Sequence, residues 1–139
     1  MSVTRYALDL WQRAGEALRT ADCNLSVSFD AAASRAYYAA FYAASALFAV
    51  GDREFSTHAG VDVAVHRDLV KSGRWVPSLG QDYSYLLRLR ETGDYGGPRH
   101  VGKDEAIEAA AAAKRILDAV RGACPELGEY GQQDGGVGR

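Results

Sequence analysis

The feature that most constrains this chain is residues 36–50, AYYAAFYAASALFAV, a stretch without a single charged side chain. Its length of 15 residues falls short of the roughly 20 that a membrane-spanning helix needs, and Asp30 and Arg35 precede it closely. A helix that is apolar on every side is instead buried in a protein core. We therefore predict that residues 30–50 form the central helix of a bundle, and that a second copy of the chain helps to cover it.

Four further segments have the spacing of amphipathic helices, with apolar residues recurring every three or four positions, and no segment has the alternation of a strand. Ser56 or Thr57 is expected to cap the third helix. The fold class predicted is all-α, an up-and-down bundle of about five helices over residues 1–124, followed by a disordered tail over residues 125–139, which contain five glycines. The other predicted helices cover residues 4–25, about 57–72, 78–92 and a segment from near Asp104.

Composition restricts the possible functions less than it restricts the possible folds. The net charge of -2 gives no overall basic field, but residues 67–103 carry seven basic and four acidic side chains. This excess of three suits either a modest phosphate-attracting patch or an ordinary mixed surface. Cys23 and Cys124 lack metal-binding spacing and are expected to be buried free thiols. The N-terminus has no apolar signal segment, so we expect a cytoplasmic protein. The cysteine spacing gives no metal site, and we expect no metal and no cofactor.

Arg90 is the residue that departs most from its surroundings. The apolar stripe of the fourth helix runs from Leu79 to Leu86 and then meets this guanidinium. A half-buried arginine needs a partner, and Asp94, four residues on, is the nearest candidate. Two roles stay open for Arg90: a structural ion pair that fastens the helix end beside Tyr95, or a phosphate site that stabilises negative charge.

Four other residues are candidates for the same site. Arg35 lies at the edge of the apolar central helix, and Arg99 belongs to the locally basic stretch. His58 follows the cap of the third helix, where free backbone N–H groups favour an anion, although a packing role is the alternative. His100 follows a glycine-rich segment that would allow it to fold back towards Arg90.

Three ordered motifs make the chain resemble the HEPN superfamily over roughly residues 5–121. They are SRAYYAAFYAASALF at 34–48, STHAGV at 56–61 and LRLRETGDY at 87–95. These are similar to a subfamily with an S-R-x-Y-Y-A-x-F helix, a T-H-[SA]-G-V turn and an R-x-x-x-D-Y helix end. The resemblance implies an all-α bundle of four to five helices that usually dimerises.

The resemblance also implies a set of possible functions. Many HEPN domains are ribonucleases that act through an R-x4-6-H motif at the dimer interface, while others bind nucleotides or proteins without catalysis. In bacteria and archaea the gene often neighbours one for a minimal nucleotidyltransferase, as a toxin–antitoxin pair. We therefore expect a homodimer with no membrane association, and RNA, a nucleotide or a nucleotidyltransferase as its partner.

Carried over residue by residue, the ribonuclease motif is incomplete. Arg90 matches the motif arginine, but Tyr95 stands where a histidine would follow, and His100 comes only after nine intervening residues. The expected function is therefore RNA, nucleotide or partner binding with weak or no catalysis. The alternatives are an active metal-independent ribonuclease that uses Arg90, Tyr95 and His100, and a purely structural dimer. The residues expected to bind an anion or RNA, or to form the structural clamp, are Arg35, His58, Arg90, Asp94 and Arg99.

Overall fold

The computed structural model describes residues 3–95 and 97–130, and within them all regular structure is helical. A π-helical segment, Val65–Val70, continues α3, and a short 3-10 turn, Pro125–Leu127, follows α5. The predicted all-α fold is thus confirmed. None of the helices in the described ranges combines the length and the apolar character needed to cross a membrane. The five α-helices are α1 (Arg5–Asn24), α2 (Phe29–Val50), α3 (His58–Ala64), α4 (Pro77–Asp94) and α5 (Lys103–Ala123).

Local chemistry accounts for where the helices begin. Thr4, Ser28 and Thr57 precede the first three helices, and each side-chain oxygen accepts the backbone N–H three residues further on. This pairing satisfies one of the N–H groups that a helix start leaves free. Of the two caps predicted for the third helix, Thr57 is the one that forms. Pro77 begins α4, where its missing N–H costs nothing.

The central helix α2 packs against α1, α4 and α5, and the single chain covers most of it. Of the 15 residues from 36 to 50, 12 are buried, many of them alanines that let neighbouring backbones approach closely. The exceptions are Tyr38, Tyr42 and Ser45, which are partly exposed. The chain's own helices therefore cover most of α2, and our expectation that a second copy helps to cover it stays a prediction.

The end of α4 lies against the start of α2, closer than predicted. The helix continues through Gly93 to Asp94, rather than ending at residue 92. A Cβ atom on Gly93 would lie 3.1 Å from the backbone oxygen of Asp30 in the first turn of α2. The absence of a side chain at this position therefore allows the close approach that brings the two helix ends together.

The C-terminal boundary of the folded chain lies further on than residue 124. Residues 125–130 pack on the bundle, with Leu127 buried and the indole N–H of Trp11 donating to the Gly128 carbonyl at 3.0 Å. The Tyr130 ring meets the Trp11 ring edge-on. The expected tail is thus corrected for these residues, and residues 131–139 lie outside the described ranges. Two cysteines were expected to be buried; Cys124 is, but Cys23 is exposed.

Candidate functional site

One stripe of α2 is left open by the other helices. Ser34, Arg35, Tyr38, Tyr42 and Ser45 are all partly exposed. Apart from the adjacent Ser34 and Arg35, they follow one another at intervals of three or four residues, which puts them along a single helix face. This open face, defined by these five residues, is where α2 meets solvent between α1 and the end of α4.

Three arginines from three helices lie over the tyrosines of α2. The guanidinium carbon of Arg35 is 4.8 Å from the centroid of the Tyr38 ring, and that of Arg90 is 5.9 Å from the same centroid. Arg13 of α1 lies 6.0 Å from the centroid of the Tyr42 ring. A cation within about 6 Å of a ring face is attracted by its quadrupole. The rings therefore hold three positive charges along the open face, and Arg13 is a member that we did not predict.

Arg90 forms the expected ion pair with Asp94, but in an imperfect geometry. Its Nε atom is 3.3 Å from the Asp94 Oδ2 atom, and the two side chains are 16% and 33% exposed. The Nε atom is nevertheless buried without a hydrogen bond of acceptable geometry among the described residues. The pair thus provides charge compensation while leaving hydrogen-bonding capacity of the guanidinium unused.

Tyrosines surround Arg90 on both sides. Its guanidinium carbon lies 5.0 Å from the centroid of the buried Tyr37 ring. Burial lowers the pKa of Arg90, but the nearby phenols of Tyr38 and Tyr37 and a hydrogen bond with Tyr95 outweigh it, so the pKa is raised. Arg90 is therefore a permanent cation. Tyr95 itself is 72% exposed at the end of α4, beside the pair as predicted.

The buried side of α2 carries a polar cluster that sequence reasoning missed. The hydroxyl groups of Tyr37 and Tyr83 both donate to the Asp62 Oδ1 atom, at 2.8 and 2.7 Å. Burial raises the pKa of both phenols, and the Asp62 charge raises it further. These hydrogen bonds fix the position of the Tyr37 ring, over which the Arg90 guanidinium lies.

The ring of His58 packs against aromatic side chains. Its ring centroid is 4.3 Å from that of Phe41 and 5.7 Å from that of Tyr38. The backbone N–H of Gly60 is already bonded to the Thr57 hydroxyl. His58 therefore lies exposed at the border of the open face with ring contacts, and its role in anion binding stays a prediction.

His100 folds back towards α2 and pairs with Asp30. The His100 Nδ1 atom lies 2.8 Å from one carboxylate oxygen of Asp30, and the Val101 N–H donates to the other at 2.8 Å. Burial alone would raise the pKa of Asp30, but these two hydrogen bonds lower it overall. No hydrogen bond joins His100 and Arg90 in the described part of the chain. Asp30 was not predicted, because its partners lie 70 and 71 residues away in the sequence.

An open groove of about 530 Å³ lies between the start of α2 and the end of α4, and Asp30, Arg35, Gly93 and Asp94 are among the residues that line it. A second groove, of about 440 Å³, adjoins it and is lined by Arg13, Arg35 and Tyr42. Arg35 lines both. The candidate site is therefore an elongated depression along the open face, from the start of α2 to Tyr42.

Arg99 lies outside this arrangement. Its Nη2 atom is 2.8 Å from Glu105 of α5, in an exposed ion pair. Arg67, at the other end of the locally basic stretch, pairs with Asp68. The excess positive charge of residues 67–103 is thus partly neutralised and spread over several elements, which favours the ordinary mixed surface among the two alternatives.

Comparison with known families matches the HEPN domain over residues 7–123. The chain belongs to the HEPN family. It is 35% identical over 115 residues to a UPF0332 protein of Thermotoga maritima, covering 81% of this chain and 87% of that one. It is 31% identical over 111 residues to a UPF0332 protein of Gloeobacter violaceus, covering 78% and 88%.

Proposed function

We propose that this HEPN protein binds single-stranded RNA along the open face, with weak or no cleavage. The observation that carries the proposal is the set of three guanidiniums, from Arg13, Arg35 and Arg90, over the rings of one helix face. Only Arg90 has a carboxylate ion pair within the described residues, and it leaves its Nε atom without a hydrogen bond. These cations are therefore available to phosphate groups.

The shape of the face favours an extended strand over a single nucleotide. From Asp30 to Tyr42 the depression follows α2 for about 18 Å, at about 1.5 Å per residue. Both grooves are open, whereas small molecules usually bind in enclosed pockets. Partly exposed tyrosines next to arginines are the combination that stacks bases and holds the backbone of single-stranded nucleic acid. Arginine also binds phosphate oxygens in pairs, which lysine does not.

Weak cleavage follows from the residue that replaces the motif histidine. Tyr95 stands at that position, and an ordinary phenol with a pKa near 10 is a poor proton acceptor at neutral pH. Arg90 stabilises negative charge on a bound phosphate whether or not cleavage follows. Binding therefore does not depend on the missing histidine.

The test is fluorescence anisotropy of a labelled single-stranded RNA with the full chain. Replacing Arg35 or Arg90 by alanine should raise the Kd about tenfold and reduce the slope of log Kd against log salt by about 0.7, the value for one phosphate contact on a single strand. Arg88→Ala is the matched control, since Arg88 also lies on α4 but stacks on Tyr85 towards α5. Equal losses in all three variants would contradict a site on the open face, and no RNA binding at all would favour the structural module.

We also propose that the protein is a homodimer and the HEPN component of a toxin–antitoxin-like pair with a minimal nucleotidyltransferase. Family membership supports both statements. Sedimentation velocity at micromolar concentration should give a dimer, and a monomer would refute that part. Co-purification with the product of the adjoining gene tests the pairing, and failure of a nucleotidyltransferase to co-purify would count against it.

A further inference from the structure

We propose that a cavity at the C-terminal end of α2 binds a small amphipathic monoanion, an apolar chain or ring that ends in a carboxylate. The cavity has a volume of about 410 Å³ and is lined by residues from the ends of α2 and α5. It is more enclosed than the two grooves of the open face and shares no lining residue with them. Its volume lies within the range of roughly 300–1,000 Å³ that is usual for small-molecule sites. The site is therefore separate from the one proposed for RNA.

The inner wall of the cavity is apolar. Leu47, Phe48 and Val50 line it from the last turn of α2, and each is 6% exposed or less. Val3 adds a further aliphatic side chain ahead of α1. The carbonyls of Phe48 and Ala49 are already bonded to N–H groups of the following turn, so this helix end presents them to no ligand. Since the transfer of apolar surface out of water is favourable, the wall favours a ligand with an apolar part.

The guanidinium of Arg53 is held in place on the polar side of the cavity. Asp52 adopts a left-handed φ of 62°, and the Arg53 N–H then returns to the Phe48 carbonyl at 3.0 Å. The guanidinium carbon lies 5.0 Å from the centroid of the Phe48 ring and 5.1 Å from that of Phe55. Its Nη1 atom is 2.8 Å from the Asp68 Oδ2 atom. This ion pair leaves other N–H groups of the guanidinium for a further acceptor.

Arg74 supplies a second guanidinium to the cavity. It is exposed, and no carboxylate pairs with it among the described residues. Of the described residues that line the cavity, two are arginines and one, Glu126, is acidic, which leaves one net positive charge. A planar guanidinium can bind both oxygens of a carboxylate. One net positive charge suits a single carboxylate better than a doubly charged phosphate, so a monoanion is the ligand class that we expect.

Cys124 provides a chemical reporter within the cavity wall. Its side chain is 6% exposed, and burial raises the pKa of its thiol. Only the thiolate reacts with a disulfide reagent, and it must be reached by that reagent. A ligand in the cavity should therefore slow the modification of Cys124. Cys23 is exposed and does not line the cavity, so it is the internal control in the same molecule.

The experiment titrates the full chain with octanoate by calorimetry and follows both thiols by mass spectrometry after reaction with an aromatic disulfide. We expect saturable binding of octanoate. At a free concentration of about ten times Kd, Cys124 should react about tenfold more slowly, because the fraction of empty cavity falls by that factor. Cys23 should react at an unchanged rate. Octanol, which lacks the charge, and acetate, which lacks the tail, should each bind about tenfold more weakly than octanoate.

Variants of the basic side chains test where octanoate binds. Arg74→Ala should raise the octanoate Kd about tenfold, the effect of losing a hydrogen bond to a charged group. Arg74→Lys keeps the charge but not the planar group and should recover part of the affinity. Lys71→Ala is the matched control, because Lys71 is a nearby exposed cation that does not line the cavity, and its Kd should change less than twofold. Thermal melting checks that each variant is folded.

Several results would overturn the proposal. Octanol that binds as tightly as octanoate would exclude recognition of the carboxylate, and acetate that does so would exclude a role for the apolar wall. Octanoate binding that leaves Cys124 unprotected, or that is unchanged in Arg74→Ala, would mean that the ligand lies elsewhere. Absence of saturable octanoate binding would also overturn it. RNA affinity, measured by anisotropy on the same samples, should be the same in Arg74→Ala and wild type, so the two sites succeed or fail separately.

Discussion

Tyr37 and Tyr38 are neighbours on the central helix and have opposite environments. Tyr37 is 0% exposed, and its hydroxyl donates to Asp62 at 2.8 Å. Tyr38 is partly exposed, and Arg35 lies over its ring. Since successive helix residues are turned by about 100°, adjacent tyrosines belong to different sides of α2.

The two sides differ in how many of their polar groups have a hydrogen-bond partner. In the buried cluster of Tyr37, Asp62 and Tyr83, each hydroxyl has a short hydrogen bond. On the open face the arginines have ring contacts and a single ion pair, so that their donors are left for a ligand. Arg90 belongs to both sides, because it lies over the rings of Tyr37 and Tyr38. We therefore expect the first side to contribute mainly to stability and the second to carry the proposed RNA binding.

The largest expected effect comes from removing the shared acceptor of the buried cluster. Asp62→Ala leaves two hydroxyls without their partner, and each unpaired buried group costs about 1–3 kcal/mol. We expect the free energy of unfolding, measured by urea denaturation, to fall by about 3 kcal/mol. Asp62→Asn keeps an acceptor oxygen and should cost less. Equal, small losses in both variants would show that the cluster contributes little to stability.

The same cluster predicts instability at alkaline pH. Burial raises the pKa of Tyr37 and of Tyr83 above the ordinary value, and the Asp62 charge adds to this. Below about pH 10 both phenols keep their protons in the folded and unfolded states, so the stability is fully present. Above it the unfolded chain loses two protons that the folded chain retains, and stability should fall by about 2.7 kcal/mol per pH unit.

Denaturation at several pH values between 9 and about 11 measures this slope. Tyr37→Phe should make the slope shallower by up to about 1.4 kcal/mol per pH unit, whereas Tyr38→Phe, on the open face, should leave it unchanged. An identical slope in wild type and Tyr37→Phe would contradict the prediction that the buried side, unlike the open face, makes stability depend on pH. The wild-type slope itself must be negative for the raised pKa values to hold.

The helices were predictable because their signals are local. The uncharged run at 36–50 and the cap at Thr57 each act within a few residues. The ion pair of Arg90 and Asp94 was predictable for the same reason, since it spans one helical turn. The burial of α2 was predictable from its own uncharged pattern, but that pattern could not tell that α1, α4 and α5 of the same chain cover most of it.

The groups that sequence reasoning missed all depend on contacts between distant segments. Asp62 meets Tyr37 and Tyr83 from 25 and 21 residues away. Asp30 and His100 are separated by 70 residues, and Asp30 carried only the signature of a helix start. A single sequence gives no pairing signal over such distances, whereas the packing of α4 on α2 determines both contacts.

Variants of Arg90 test the residue that contacts both sides of α2. Arg90→Ala removes the ion pair with Asp94 and the contacts with two rings, so the free energy of unfolding should fall by about 1–3 kcal/mol. Arg90→Lys keeps the charge but not the planar guanidinium, and should recover only part of the stability and of the RNA affinity. Denaturation and anisotropy on the same samples measure both. An Arg90→Ala variant as stable as wild type would rule out the structural clamp and leave only the binding role.

The smallest expected effects come from two variants that compare the sides most directly. Each removes one hydroxyl oxygen, from one of two adjacent tyrosines. Tyr37→Phe leaves Asp62 bonded to Tyr83 alone and should cost about 1 kcal/mol of stability, the usual net value of one hydrogen bond. Tyr38→Phe should change stability by less than about 0.5 kcal/mol, the range for surface substitutions. RNA affinity should stay within twofold in both, because stacking uses the ring rather than the hydroxyl. Tyr38→Ala removes that ring and should weaken RNA binding by about 1–3 kcal/mol per stacked base, so an unchanged Kd in this variant would show that the open face binds through its arginines alone.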